Sequence, residues 1–250
     1  MIHKESRGSV TILRMEHGKV NAIDTDLFAS LIDQLQQLET AEAHAVVLTG
    51  TGGSFSAGVD LFKVVNGGKK YLDTFLPMLT DCVLKLFAFP KPVVAAVNGH
   101  AIAGGCVLVC ACDYRIMAEG EGKIGVPELL VGVPFPTFPL EVMRFAVPTP
   151  HFQNLIYTGR TCTADQAKAM GLLDETTKAD DLLDTAAQIA ERLGAIPQDT
   201  FELTKRMLRQ PTLDHAEKYK NFDPEAAKIW ASTKVRENIQ QYLEKTIGKR

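Results

Sequence analysis

Apolar residues recur along this chain at two spacings, and the spacing switches from one segment to the next. In "DTDLFASLIDQLQQLE", Leu27, Leu31, Leu35 and Leu38 fall three or four apart and so share one face of a helix. Asp24 or Thr25 ahead of them suits an N-cap, because a short oxygen-bearing side chain satisfies an orphan backbone N–H. The same spacing through Leu72, Leu76, Leu79, Val83 and Leu86 predicts a second helix from about Lys69 to Phe89, ended by "FPKP", where proline removes a donor and restricts its predecessor. "SVTILRM", "AHAVVLTG", "VVAAVNGH" and "DYRIMAE" read as strands, the two Val-rich runs as buried ones. "AGGCVLVCA" opens a helix that is apolar all round and therefore buried. "TCTADQAKAMGLLDE" starts a helix with a capping box, Thr163 to Gln166, and returns as a strand. From about Ala179 only helices are expected, with breaks near Pro197, Pro211 and Pro224. Strands alternating with helices, then a helical tail, predict an α/β core with a largely parallel sheet over residues 1–190 and a helical region over 191–250.

Composition narrows the partners. A chain of 250 residues can bury a sizeable core, and 46% hydrophobic with 23% charged residues is ordinary for a globular protein. A net charge of −3 without a clustered Lys/Arg run argues against nucleic acid. No apolar run approaches the ~20 residues that span a bilayer, so no membrane is expected. "MIHKESRGSVTILRM" has neither a signal-peptide nor a transit-peptide pattern, and "IGKR" is not a peroxisomal address. Five cysteines, an odd number, suit a reducing compartment, and a cytoplasmic location is the expectation. Cys106, Cys110 and Cys112 lack zinc spacing and sit in an apolar stretch, so they read as small core residues, with no metal implied.

Three places hold candidate chemistry. In "KIGVPELLVGVPFP" a lone carboxylate, Glu128, lies among Ile124, Val126, Leu129, Leu130 and Val131. Burying it is expensive unless it is paired, neutralised or employed. The plain reading is a half-exposed residue starting a short helix after Pro127, where negative charge is favoured. The glycine-rich loops "GTGGSFSAGVDL" and "NGHAIAGGCVL" each follow a strand. Neither matches a P-loop or a dinucleotide fingerprint. They serve either tight turns and close packing or the convergence of two free backbone N–H groups on one oxygen, with the helix opening at Gly104-Gly105 adding its dipole.

"SFSAGVDL", "AAVNGHAIAGGCVLVCACDYRIMAE" and "IGVPELLVG", in that order, resemble the enoyl-CoA hydratase/isomerase (crotonase) superfamily, from about Ser9 to the C-terminus. The resemblance implies a spiral of ββα units and a C-terminal helical region, 191–250, used in assembly and active-site cover. It also implies a homotrimer or dimer of trimers. Acyl-CoA thioesters would be the substrates, with no cofactor beyond the coenzyme A that is part of the substrate, and no metal. Carried over to this chain, the N–H groups of Ala57 and Gly104 would form the oxyanion hole. Lys19 to Ala22 and Ser56 to Leu61, including Gly58 and Asp60, would line the CoA moiety, although Asp60 could equally cap the turn after its loop. Val107 and Pro127 would belong to the same substrate-binding surface.

Hydratases of this family carry two glutamates, and here the first position is Val107 while the second is Glu128. A valine neither accepts nor delivers a proton, so the two-carboxylate water mechanism lacks one half. One carboxylate suffices to move a double bond from C3 to C2, and the chain is most similar to the single-glutamate Δ3,Δ2-enoyl-CoA isomerases. An apolar pocket around Glu128 would raise its pKa to suit that role. Hydration, decarboxylation, thioester hydrolysis, and a catalytically idle acyl-CoA-binding protein stay open. Among other candidates, Asp113 reads as a structural hydrogen-bonding residue, Glu119 and Glu121 as solvated, Glu141 as a surface helix position, and His100 as packed or exposed. Phe135, Pro136, Phe138 and Pro139 either wall an acyl pocket or pack the loop.

Overall fold

A computed structural model describes residues 1–247. The chain opens on a hairpin of β1 (Ile2–Arg7) and β2 (Val10–Met15), followed by α1 (Thr25–Glu39). Asp24 is the cap of α1, its Oδ1 accepting from the Leu27 N–H at 2.8 Å, and Leu27, Leu31, Leu35 and Leu38 are buried as their spacing requires. One pattern then repeats. β3 (Ala45–Thr49), β4 (Ser54–Ser56) and α2 (Leu61–Ala88) form the first unit. The second is β5 (Val93–Val97), β6 (His100–Ile102) and α3 (Gly104–Ala111). The third is β7 (Tyr114–Ala118), β8 (Ile124–Gly125), a 3₁₀ turn at Glu128–Val131, and α4 (Thr137–Ala146). Each unit contributes one strand to each of two sheets, which makes the chain a ββα spiral.

α5 (Thr149–Thr158), β9 (Thr161–Cys162), α6 (Ala164–Ala169) and β10 (Glu175–Thr177) complete the sheets. The helices α7 (Leu182–Gly194), α8 (Gln198–Tyr219), α9 (Asp223–Trp230) and α10 (Thr233–Ile247) follow. The larger sheet has the order β1-β2-β3-β5-β7-β10 and is parallel except at β1. The smaller has the order β4-β6-β8-β9 and is parallel except at β9. In the larger sheet successive residues serve two cores. Val46, Leu48, Val93 and Ala95 pack toward the helices of the spiral, while Val47, Val94 and Ala96 pack against Ala186, Ile189 and Ala190 of α7. Burial on both faces is why β3 and β5 read as continuous apolar runs. Cys106, Cys110 and Cys112 are buried small residues of the first core.

Two expectations are corrected. α2 starts at Leu61 rather than near Lys69, with Gly68 (φ 54°, ψ −146°) kinking it. Asp60 caps this earlier start through a 3.1 Å bond from the Lys63 N–H. There is also no break at Pro211, which lies inside α8. Proline removes one bond there, to the carbonyl of Met207, a residue on the exposed face. Side chains on both sides of that point hold the helix down. Lys205 Nζ and Arg209 Nη2 each reach Asp113 at 2.7 Å, Arg209 also donates to the Ala111 carbonyl at 3.0 Å, and Ala216 is buried one turn later. The capping box at Thr163 and the helix boundaries at Pro197 and Pro224 stand as expected.

Asp113 therefore has the structural role its sequence position suggested. It also accepts from the Val93 N–H at 2.8 Å, so one carboxylate joins α8 to the edge of β5. Burial lowers the Lys205 ammonium to about pKa 8 against the raising effect of Asp113. Asp113→Ala leaves two buried cations unpaired and is expected to cost about 3–5 kcal/mol in denaturant unfolding. A loss below about 1 kcal/mol would show that α8 is held by its apolar contacts instead.

Candidate active site

The two glycine-rich loops meet at the ends of β4 and β6. Gly58 (φ +86°) lies so near the second loop that a Cβ would fall 2.6 Å from the Ile102 carbonyl oxygen and 2.7 Å from the Ala103 Cβ. Reciprocally, a Cβ on Gly105 would fall 2.6 Å from the Ser56 carbonyl oxygen. Only glycine permits either approach. Ser56 is fully buried and braces the junction, its hydroxyl donating to the Asn21 carbonyl at 2.8 Å and accepting from the Gly58 N–H at 3.1 Å. Asn21 (φ 51°) completes the brace with bonds from its Nδ2 to the Ser54 and Phe55 carbonyls. Sequence reasoning passed over Asn21 except as part of the Lys19–Ala22 stretch. Its signal was an asparagine in a turn, a residue tolerant of left-handed backbone.

Glu128 begins the 3₁₀ turn after Pro127, as its helix-start reading proposed, but it is not a solvated cap. The residue is partly exposed as a whole, whereas its carboxyl is enclosed, and Oε2 has no hydrogen-bond partner. It faces a cavity of about 70 Å³ lined by Val59, Leu61, Ile102, Val131, Val133 and Trp230 among others. Desolvation in these walls pushes the carboxyl up to about 8, against a smaller opposing pull from its own backbone N–H. Ala57 and Ala103 also line this cavity, so the lone acid and both glycine loops are assembled in one place.

The oxyanion donors need one correction. The Ala57 N–H is already bonded to the Val20 carbonyl at 2.9 Å and is not available to a ligand. Two residues on, the Ile23 N–H bonds the Gly58 carbonyl at 2.7 Å and the Asp60 N–H bonds the Ile23 carbonyl at 2.8 Å. This bridge skips the Val59 N–H, which has no partner among the described residues. The Gly104 N–H opens α3, ahead of the first intrahelical bond from Val107 to Ala103, and is likewise unclaimed. Ala103 (φ 53°) holds the strained turn that presents it, with its own N–H tied to the Gly125 carbonyl at 2.8 Å. Val59 and Gly104 are therefore the pair with free donors. Motif matching missed Val59 because alternation of N–H direction along a strand edge is not visible in residue identity.

The remaining candidates are scattered in role. Lys19 is exposed and Ala22 is partly buried on the segment beside the first loop. Asp60 is committed to its helix cap. Val107 is 2% exposed and packs in the core. Phe135 is half-buried against that core, and Phe138 stacks edge-on against Phe87 at 5.9 Å, so these two pack their loop and do not line the Glu128 cavity. Glu141 is not a surface residue. It is 6% exposed and pairs with His215 at 2.8 Å and Arg144 at 3.1 Å. His100, Glu119 and Glu121 are exposed. Trp230 and Tyr242, from α9 and α10, line the cavity and were not anticipated, because no local pattern ties residues so distant in sequence to Glu128.

A profile of the enoyl-CoA hydratase/isomerase family matches residues 5–248. The chain belongs to that family. It is 25% identical to enoyl-CoA delta isomerase 1, mitochondrial, of Rattus norvegicus over 98% of this chain and 86% of the relative. It is 32% identical to a putative enoyl-CoA hydratase of Thermus thermophilus over 83% of each. The crystal structure of human mitochondrial delta3-delta2-enoyl-CoA isomerase superposes with a TM-score of 0.94 at 24% identity, covering 100% of this chain and 99% of that one, and it attests the fold. No described helix is long and apolar enough to cross a membrane.

The raised pKa has a consequence for stability. Below the ordinary value of 4.5 the carboxyl is neutral in both folded and unfolded chains. Between 4.5 and about 8 the unfolded chain releases its proton while the folded one retains it, so this group's contribution to stability falls across that window and levels off above it. Glu128→Gln should match the parent in melting temperature near about pH 5 and exceed it near about pH 9. Parallel thermal melts at both pH values test this, and equal melting temperatures at the higher pH would contradict the enclosed carboxyl.

Proposed function

We propose that the protein is an acyl-CoA isomerase that shifts a C3 double bond of an enoyl-CoA thioester to C2. The observation that carries this reading is the enclosed carboxyl of Glu128, one oxygen of it without a partner, as the one acid lining an apolar cavity; by resemblance to the family, Val107 stands where hydratases carry a second glutamate. The thioester oxygen would accept from the Val59 and Gly104 N–H groups. Ionised Glu128 removes a C2 proton as the oxygen becomes enolate-like, and the electron pair spreads as a dienolate over C2 to C4. Protonated Glu128 then returns the proton at C4, which leaves the bond between C2 and C3 and restores the base. Two fixed donors in a site that excludes water stabilise the developing charge, each typically by ~3–4 kcal/mol. Coenzyme A enters as part of the substrate.

The relatives support an acyl-CoA enzyme and include both isomerases and hydratases. A paired assay separates these. One arm follows 3-enoyl-CoA becoming conjugated 2-enoyl-CoA by ultraviolet absorbance, and the other follows loss of conjugation on hydration. Isomerisation with little hydration is expected, and Glu128→Gln should lower isomerisation by about 10²–10⁴-fold. Fast hydration would overturn the single-carboxylate mechanism.

A pH profile adds an independent check. Because the ionised form is the base and its pKa in the free protein is about 8, kcat/KM should fall about tenfold per unit below that value and level off above it. A profile flat from about pH 6 upward would mean that the base ionises well below about 8, against a strongly desolvated Glu128 in that role.

A further inference from the structure

A second, larger space lies beside the Glu128 cavity. It is a groove of about 790 Å³ between α2 and the α8–α9 segment, walled by Leu72, Leu76, Leu84, Pro136 and Ala227 among others. Among the described residues, Trp230 is the one side chain that lines both this groove and the Glu128 cavity. Trp230 ends α9, is 4% exposed, and its indole N–H donates to the Pro134 carbonyl at 2.8 Å. The ring is thus held in place at one end by a hydrogen bond and on its faces by packing, as a partition between two spaces.

The volumes make the partition consequential. The Glu128 cavity, about 70 Å³, is less than a tenth of the groove's 790 Å³ and leaves little room beyond the reacting carbons. Trp230 stands on the wall that the two spaces share, so a chain that continues from the reacting carbons toward α2 meets the indole. The groove behind has more than enough room and apolar wall for a longer chain, but not while Trp230 divides it from Glu128.

We infer that Trp230 is a specificity-determining residue that restricts the protein to short acyl chains, and that the α2–α9 groove is a chain-binding site closed off by that side chain. This rests on the acyl-CoA reading above. Trp230 touches the cavity without carrying out proton transfer, so its effect is on the ratio between chain lengths. Replacing it with leucine opens one space into the other and lets a chain run from Glu128 along α2.

The test uses the full chain and two substrates, four-carbon but-3-enoyl-CoA and ten-carbon dec-3-enoyl-CoA. The parent should favour the short substrate in kcat/KM. Trp230→Leu should raise the long-to-short ratio by at least about tenfold, the discrimination that a methylene's fit typically carries. Trp230→Phe, which keeps an aromatic ring but loses the bond to Pro134, should shift the ratio in the same direction by less, and serves if the leucine variant does not fold. Calorimetric binding of the saturated butyryl-CoA and decanoyl-CoA to the same proteins reads selectivity without turnover. If isomerisation is absent but decanoyl-CoA binds only after substitution, the proposed reaction fails and the partition stands. A parent that turns over or binds the long chain as well as the short one overturns the partition, as does a variant that loses both lengths equally while folded.

Discussion

Two contacts between backbone and backbone, each closer than any side chain permits, set the geometry on which the site depends. Gly58 lies against Ile102 and Ala103, and Gly105 lies against Ser56, so the ends of β4 and β6 are pressed together from both directions. A β-carbon at either glycine would fall 2.6 Å from a carbonyl oxygen of the other loop and push the loops apart, and the Val59 and Gly104 N–H groups would separate with them. The junction is also where non-glycine residues adopt left-handed backbone, at Asn21 and Ala103. Such conformations cost on the order of 1–3 kcal/mol each and persist only when the surroundings over-determine them. Here they are: Asn21 bonds two carbonyls of β4 through its side chain, and Ala103 is anchored to β8 through its N–H.

Against this rigid frame Glu128 differs from the other buried acids. Asp24 is nearly inaccessible, yet Lys63, the Leu27 N–H and His17 face it; burial pushes its carboxyl up, and these partners together outweigh burial and hold it below the usual range. Asp113 has Lys205 and Arg209, and Glu141 has Arg144 and His215. Each of these carboxylates is neutralised by cations and contributes to packing one element on another. Glu128 has desolvation offset only in part by its own backbone N–H and by no cation, which is destabilising at neutral pH and is therefore the arrangement least explicable by stability alone. The difference is one of neighbours: the other three carboxylates face cations, and Glu128 faces apolar walls.

What the sequence made legible follows the range of the physics involved. Period-3.6 stripes, doubly buried strands, the Thr163 capping box and the Asp24 cap are set by residues within a few positions of one another, and they were read correctly. The strands β4, β6, β8 and β9 are two or three residues long and owe their existence to pairing across the spiral, so local pattern registered them only as loops. The apolar spacing that begins at Leu72 places the start of α2 near Lys69, whereas the helix starts at Leu61, kinks at Gly68 and continues. Pro211 was given a break that tertiary anchoring at Asp113 prevents. In the site, the position of Glu128 and the convergence of two glycine loops were legible, while the choice between the Ala57 and Val59 N–H groups was not. That choice depends on which face of one peptide turns toward Val20.

In the proposed isomerisation one carboxyl acts twice, and the apolar walls around it bear directly on how. Glu128 is the only carboxylate among the lining residues, and the walls are otherwise mainly aliphatic or aromatic. A proton taken from one carbon of a bound chain then has few places to go except back to that chain, and a low dielectric keeps the charge-bearing partners close. By resemblance to the family's hydratases, a glutamate at position 107 would help to hold a water and offer the proton, and the double bond, another outcome. Valine there removes that competitor by chemistry, while Trp230, anchored to Pro134, limits the length of chain that the cavity admits. On this view the specificity of the site comes less from what it binds than from what it leaves no room for.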